Sequence, residues 1–343
     1  VEDHQDVAED DGAVDLGTTD RTVQGVQFQN AAAAYTITGG TGRLILEADV
    51  LVENNRPGVM DRLGLGYAAL SAEKPGLLFC SISAYGQSGP RSSEGGFDLT
   101  IQAAAGVMSV TGEPSGAPVK CGVPLSDFAS GLYAAFSIAA MLVHVRSGGR
   151  GAHIDIPMFG CTLGIAALQT SEYFGNGRSP VKLGSAHPRN APYQAFQAQD
   201  GYFAIAAGNH KLWLDVLRVV DLPALAEDPR FISTTDRAHN QEALKQLLEA
   251  VFTRQPVAHW IAAFNDAGVP HARINDYAAA LSDPQTAHMG WVQPLELPGG
   301  QLTRTFGSPV RLNGKGFPIR RSPPALGQHS DEIRAEYAQK EVS

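Results

Sequence analysis

Apolar and polar positions change rhythm at two points along the chain, near residue 48 and near residue 175. Between them, short apolar runs alternate with longer runs at helical spacing. Asp49 to Val52, Leu77 to Ser83 and His153 to Pro157 have the length and apolar content of buried parallel strands. Met60 to Gly66, Tyr67 to Glu73, Phe97 to Ala105, Phe128 to Arg146 and Met158 to Phe174 predict helices. The longest of these stops at Gly148-Gly149, where glycine can end a helix. Its most apolar part, Leu132 to Val145, is shorter than the roughly 18–20 residues that span a bilayer and is broken by Ser137 and His144. It reads as a buried helix, with no membrane contact. Strand–helix alternation of this kind predicts a parallel α/β sheet.

Gly175 to Pro192 is rich in Gly, Pro, Arg and Asn and reads as a linker or an active-site loop. The pattern beyond it is α+β. Tyr193 to Ala207 predicts a hairpin turning at Asp200-Gly201. Helices are expected at Lys211 to Val220, Gln241 to Thr253 and Val257 to Ala267, and a second hairpin over Gln293 to Leu312. Ser330 to Gln339 has the pattern of a polar amphipathic helix. Before residue 48 there is no sustained period. Val1 to Asp20 is acidic and aperiodic, which predicts disorder, and Tyr35 to Leu46 predicts a hairpin turning at its glycines. The expected division is a divergent or disordered segment over 1–47, a large α/β domain over 48–190, a smaller α+β domain over 191–312, and a segment over 313–343 that returns to the large domain.

Charge changes this picture only at the N-terminus. The formal net charge of the 343 residues is −9, but eight acids and no Lys or Arg fall in the first 20 residues. The acids and bases of the remainder nearly balance, at 27 and 26. Nothing in that balance resembles the basic stripe of a nucleic-acid binder. Three widely spaced cysteines, Cys80, Cys121 and Cys161, predict reduced thiols in a cytoplasmic protein. The acidic start has neither the basic residues nor the apolar stretch of a signal peptide.

Three stretches carry candidate chemistry. In Gly122-Val-Pro-Leu-Ser-Asp127-Phe-Ala-Ser-Gly131, an aspartate stands at the mouth of the long apolar helix among small residues. One reading is an N-cap accepting an orphan N–H. The other is a nucleophile: the helix start favours the anion and small neighbours leave room for an acyl group. In Asp49-Val-Leu-Val-Glu-Asn54-Asn55-Arg56-Pro57-Gly58, followed by Asp61-Arg62, a strand ends in polar groups at the edge where open α/β sheets bind ligands. Arg56 and Arg62 suit phosphates, which guanidinium binds bidentately, and equally suit a solvated turn. The third stretch, Ser81 to Pro90 with Gly96-Phe97-Asp98, is a glycine-rich loop after a strand. No serine-hydrolase elbow, phosphate-binding loop, dinucleotide fingerprint or metal-ligand pair of histidines is recognised. No metal is expected.

Taken in order, these stretches resemble the class III CoA-transferase family, which includes formyl-CoA and carnitine-pathway CoA-transferases and the 2-methylacyl-CoA racemases. Asp49 to Gly58, Ser81 to Pro90, Gly96 to Asp98 and Gly122 to Gly131 match first. Gly149-Arg-Gly151 with Ile154-Asp-Ile156, Ala191-Pro-Tyr193, Asp200-Gly201, Asp228-Pro-Arg-Phe231 and Leu326-Gly-Gln-His329 follow. The resemblance covers about residues 48–335. It implies a Rossmann-like large domain with a smaller α+β domain, in an interlocked homodimer. It also implies an acyl-CoA:carboxylate CoA-transferase that acts through an aspartyl covalent intermediate. Asp127 maps onto the nucleophile, and Asn54, Asn55, Arg62 and the turn Gly96, Phe97, Asp98 map onto coenzyme contacts. Gly184, Ser185, Ala186 and His187 correspond to a mobile loop over the substrate. Coenzyme A enters as a thioester substrate, with no permanently bound cofactor; the other partner is a carboxylic acid. Residues 1–47 do not match the strand–helix–strand unit that precedes Asp49 in relatives, so a truncated, inactive homologue is one alternative. A racemase is the other, and Phe97 stands where that branch carries a proton-transferring histidine.

Overall fold

The computed structural model describes residues 48–332 and Ala335, together with four short strand segments before them. These are β1 (Val14–Asp15), β2 (Arg21–Val23), β3 (Ile37–Thr38) and β4 (Leu44–Leu46). The segments pair in parallel, β1 with β3 and β2 with β4. Among the described residues, the two arms of the expected hairpin over Tyr35 to Leu46 do not pair with each other. They join separate ladders, a long-range pairing that a local turn pattern does not reveal. Two of these strands, β1 and β2, fall at or beside the acidic stretch expected to be disordered; the rest of that stretch lies outside the described residues.

The chain divides into two compact units, one reaching Lys182 and the other spanning Leu183–Ile333. The boundary falls a little before the 190/191 position expected from composition, because residues 183–190 are tied to the strand that follows them. Tyr193 O accepts His187 N–H, and Ser185 Oγ accepts Ala195 N–H, both at 3.0 Å. The stretch from 313 to 333 groups with the second unit. Gln293 binds both Phe317 O and Ile319 N–H there. The tail helix expected over 330–339 lies mostly outside the described residues.

The first unit is built on a parallel sheet of order β5 (Val50–Glu53), β6 (Leu78–Ser83), β7 (Ala152–Pro157). Strand β6 is central and almost wholly buried. On one face Leu51 and Phe79 pack with Met60, Leu65 and Leu70 from α1 (Val59–Arg62), α2 (Tyr67–Glu73) and the turn between them. On the other, Cys80, Ile82, Ile154 and Ile156 pack against Ala129 and Ala134 of α5 (Leu125–Arg146) and Cys161 of α6 (Met158–Ile165). Between β6 and α5 come α3 (Asp98–Ala104) and α4 (Val107–Val110). The single helix expected over Met158 to Phe174 is two, α6 and α7 (Ala167–Asn176), because Ala166 N–H bonds Leu163 O in an i→i+3 turn.

Helix α5 overturns one expectation. It is 22 residues long and apolar enough to cross a membrane by length and composition, but only 17% of its most apolar stretch is buried. Small residues, Ser126, Ala129, Ser130 and Ala134, press on the sheet. Phe128, Leu132, Phe136 and Val143 are 60–74% exposed. A uniformly apolar helix gives no periodic signal that would reveal its uncovered face.

The second unit has an antiparallel sheet of order β10 (His271–Arg273), β9 (Tyr202–Ala206), β8 (Tyr193–Gln197). The expected hairpin forms β8 and β9; β10 is too short and polar to show in the sequence. Helices α8 (His210–Val220), α9 (Thr234–His239), α10 (Gln241–Phe252) and α11 (Val257–Asp266) cover it. They enclose an aromatic core that includes Phe196, Phe203, Phe252, Trp260 and Phe264. Short helices α12 (Tyr277–Leu281) and α13 (Pro284–Met289) lead to the late hairpin, β11 (Val292–Glu296) and β12 (Leu302–Phe306).

Candidate active site

Helix α5 connects two parallel neighbours, β6 and β7, and packs on both, so it runs back against them. Its start therefore lies at the carboxyl edge of the sheet, where α3 also begins. Asp127 is the third residue of α5, and the cap position is Pro124. The N-cap reading of Asp127 is thereby excluded: its side chain makes no capping bond, and among the described residues it has no hydrogen-bond or ion-pair partner. The residue as a whole is exposed. Even so, the protein packed around its carboxyl, and secondarily the charge of Asp98, raise its pKa above the ordinary aspartate value.

The cap that α5 lacks in its own sequence comes from α3. Asp98, only 9% exposed, accepts the Ser126 N–H on Oδ1 at 3.0 Å and the Gln102 amide on Oδ2 at 2.8 Å. Gln102 in turn accepts the Cys121 N–H at 2.8 Å. Gly96 sets the start of α3: a Cβ there would stand 2.9 Å from Ala84 Cβ and 3.0 Å from Ile101 Cδ1. Phe97 is 83% exposed.

The polar groups after β5 gather on the same edge. The Arg56 guanidinium lies against the backbone of Gly95, which brings the β5 turn beside the glycine turn before α3. Glu53, mostly buried, accepts the Asn55 N–H at 2.7 Å, and the Asn55 amide reaches Met60 Sδ at 3.6 Å. Asn54, Arg56 and Arg62 are exposed. A cavity of about 460 Å³ opens beside this turn, lined among others by Arg56, Tyr67, Ser81, Gln87 and His153. His153 bonds Ser81 Oγ at 2.8 Å and stacks on Tyr67. The Gln87 side-chain nitrogen is a buried donor with no partner among the described residues.

Asp155 holds the loop after β6, a contact the sequence pattern did not reveal. Its Oδ2 accepts the Gln87 N–H at 2.9 Å, while Ser83 Oγ accepts the Gly86 N–H at 3.1 Å. Together they pin the loop after β6, with Gly86 at φ +97 in the left-handed region. The alternation of Ile154-Asp155-Ile156 signals an outward polar residue but not what it holds. On the other side of α5's start, an apolar groove of about 780 Å³ runs past Leu125, Phe128, Leu132, Val107 and Tyr173.

The expected substrate loop, Gly184 to His187, opens the second unit. His187 Nδ1 accepts the backbone N–H groups of Arg189 and Asn190, each at 3.1 Å, and its ring stacks on Tyr193. Since both donors are backbone amides, Nδ1 is unprotonated in this arrangement.

The fold is that of an α/β protein with an unpaired carboxylate, Asp127, at the carboxyl edge of its parallel sheet. The model of CoA-transferase family III matches residues 41–330, and the chain belongs to that enzyme family. It is 39% identical over 301 residues to an acetyl-CoA:oxalate CoA-transferase of Acetobacter aceti, covering 87% of this chain and 76% of that one. It is 34% identical to the human succinyl-CoA:glutarate CoA-transferase, covering 84% and 66%. The chain thus spans about two thirds to three quarters of the length of these relatives. Among solved structures it is similar to a CaiB/BaiF family protein from Brucella suis, with a TM-score of 0.71, 34% identity and coverage of 86% and 82%. A Mycobacterium tuberculosis protein gives a TM-score of 0.73 at 27% identity, covering 83% and 76%.

Proposed function

We propose that the chain exchanges coenzyme A between an acyl-CoA and a free carboxylic acid, with Asp127 as covalent nucleophile. The observation that carries this reading is the free carboxylate of Asp127 at the start of α5, beside an open edge of the sheet. A carboxylate with no internal partner and a raised pKa is more basic, and so a better nucleophile, than an ordinary aspartate. Attack on the thioester carbonyl breaks its C–S bond and gives a mixed anhydride and CoA thiolate. The thiolate attacks the Asp127 carbonyl carbon, releasing the first acid and leaving an aspartyl-CoA thioester. The incoming carboxylate displaces CoA to form a second anhydride. Thiolate attack on the new acyl carbon then gives the product acyl-CoA and restores Asp127. One thioester replaces another, so the exchange consumes no ATP.

The names of the relatives, which act on oxalate and glutarate, favour a dicarboxylic acceptor. Asn54, Asn55, Arg56, Arg62, Gly96 and Phe97 are the proposed coenzyme contacts, since they share the edge on which Asp127 stands. Gly184, Ser185, Ala186 and His187 are the proposed substrate loop. A second copy of the chain is the proposed cover for the exposed stripe of α5: a helix with one face packed on a sheet suits a protein neighbour better than lipid on all sides. Phe97 offers no proton-transferring group, and the geometry gives no support to the racemase alternative.

The test is to incubate purified protein with acetyl-CoA or succinyl-CoA and a panel of dicarboxylates, reading acyl exchange by mass spectrometry. Hydroxylamine added during turnover should mark the peptide carrying Asp127. Exchange with no mark at Asp127 would remove the covalent mechanism while leaving the transferase activity standing.

A further inference from the structure

The first turn of α5 poses a question of hydrogen bonding. An aspartate at the third helical position can turn its carboxylate back onto the N–H of the cap residue, or onto another unpaired N–H of the first turn. Here the cap residue is Pro124, which has no N–H. The N–H of Ser126 is already given to Asp98. The cap N–H is ruled out by the proline, and the Ser126 N–H is held by a carboxylate from another helix, which removes two of the donors that could tie down Asp127.

We infer that Asp98 is a positioning residue for the transfer reaction: by taking the Ser126 N–H, it keeps the Asp127 carboxylate unpaired and available for attack. This deepens the reading of Asp127 as nucleophile and rests on it. It also gives Asp98 a role other than touching the coenzyme, because both of its oxygens are engaged inside the chain.

The arrangement has a fixed direction. Backbone N–H groups stand at both ends, Ser126 at one and Cys121 at the other. Asp98 must therefore accept twice, while Gln102 accepts with Oε1 and donates with Nε2. Asparagine at 98 would set its amide donor against the Gln102 donor and break the relay. Turning Gln102 round would only move the mismatch to Cys121. Exchanging the pair, Asp98→Asn with Gln102→Glu, satisfies every donor again. The exchange also moves the negative charge one residue further from α5. Among the described residues, Asp98 is the charged group that acts on Asp127.

The experiment compares wild type, Asp98→Asn and Asp98→Asn/Gln102→Glu in kcat, KM for acyl-CoA, melting temperature and pH profile. We expect Asp98→Asn to lose about tenfold or more in kcat with KM within about twofold. The double variant should regain the wild-type melting temperature and most of kcat, with the acid limb of its profile shifted to lower pH. A rise in KM at constant kcat would overturn the inference and make Asp98 a coenzyme contact. So would a double variant that melts like wild type but recovers no rate. Asp127→Asn runs in parallel: if it keeps the wild-type rate, the nucleophile assignment fails, whatever the Asp98 variants do. If Asp98→Asn fails to fold, the double variant still decides.

Discussion

At the scale of single residues, the protonation states carry the sharpest expectations. Partial burial and Asp98 raise the Asp127 pKa, so its anion, the proposed nucleophile, is lost at a higher pH than for an ordinary aspartate. As pH falls, kcat/KM should drop along an acid limb set by this group, read with a substrate pair that does not titrate there. Asp127→Asn should fold normally, since its side chain caps nothing, and lose about a thousandfold or more in transfer rate. Retained activity in that variant would reject Asp127. The cysteines behave differently. Burial, with Glu53 and Asp155 nearby, pushes the Cys80 thiol up to about 11, and burial raises Cys161 too. Iodoacetamide at neutral pH should label the partly exposed Cys121 well before either. Equal labelling of all three would show that the sheet opens readily.

At the scale of elements, two glycines should respond in opposite ways. Gly96 has no room for a methyl group between Ala84 and Ile101. Gly96→Ala should cost about 1–3 kcal/mol in chemical denaturation, and should lower activity further by shifting α3 and with it Asp98. Gly131 lies inside α5 with open space around its Cβ position. Gly131→Ala should stabilise the helix by about 1 kcal/mol. The helices and strands themselves were largely legible. Tyr67–Glu73, the strand ending at Ser83 and the two hairpins beyond Pro192 fall where periodicity and turn residues put them. Less legible was whatever depends on a neighbour in space: the break at Ala166, the short β10, and the cap on α5, which Asp98 supplies from a distant stretch of chain.

At the scale of the whole molecule, the two units differ in how they are held together. The second has a continuous aromatic core, and Arg237 is fully buried within it. The Arg237 guanidinium donates to Ala191 O, Phe231 O and Ile232 O and lies over Trp213. Arg237→Met should strand those carbonyls and destabilise this unit by a few kcal/mol, roughly 2–4. Hydrogen exchange should show the strongest protection over β8, β9, α10 and α11. The first unit has smaller clusters and leaves the stripe Phe128, Leu132 and Phe136 exposed. If a second copy covers that stripe, Phe136→Glu should shift the protein toward monomer in analytical ultracentrifugation and lower the melting temperature of the first unit. An unchanged mass would exclude a second copy on that face.

By itself the sequence determined the parallel sheet, the change to an α+β unit, the family resemblance and the place of Asp127 at a helix start. Those properties rest on local signals: periods of two and 3.6, glycine stops, and ordered short motifs. Only the tertiary structure decided that Asp127 is not a cap, that Asp98 faces inward to hold α5, and that one side of that helix is bare. The physical reason is that a hydrogen bond or a buried face needs two partners, and here the partners are far apart in the chain. A pattern can show that Asp98 is polar and α5 apolar, but folding alone selects the N–H that Asp98 takes and the side of α5 the sheet covers.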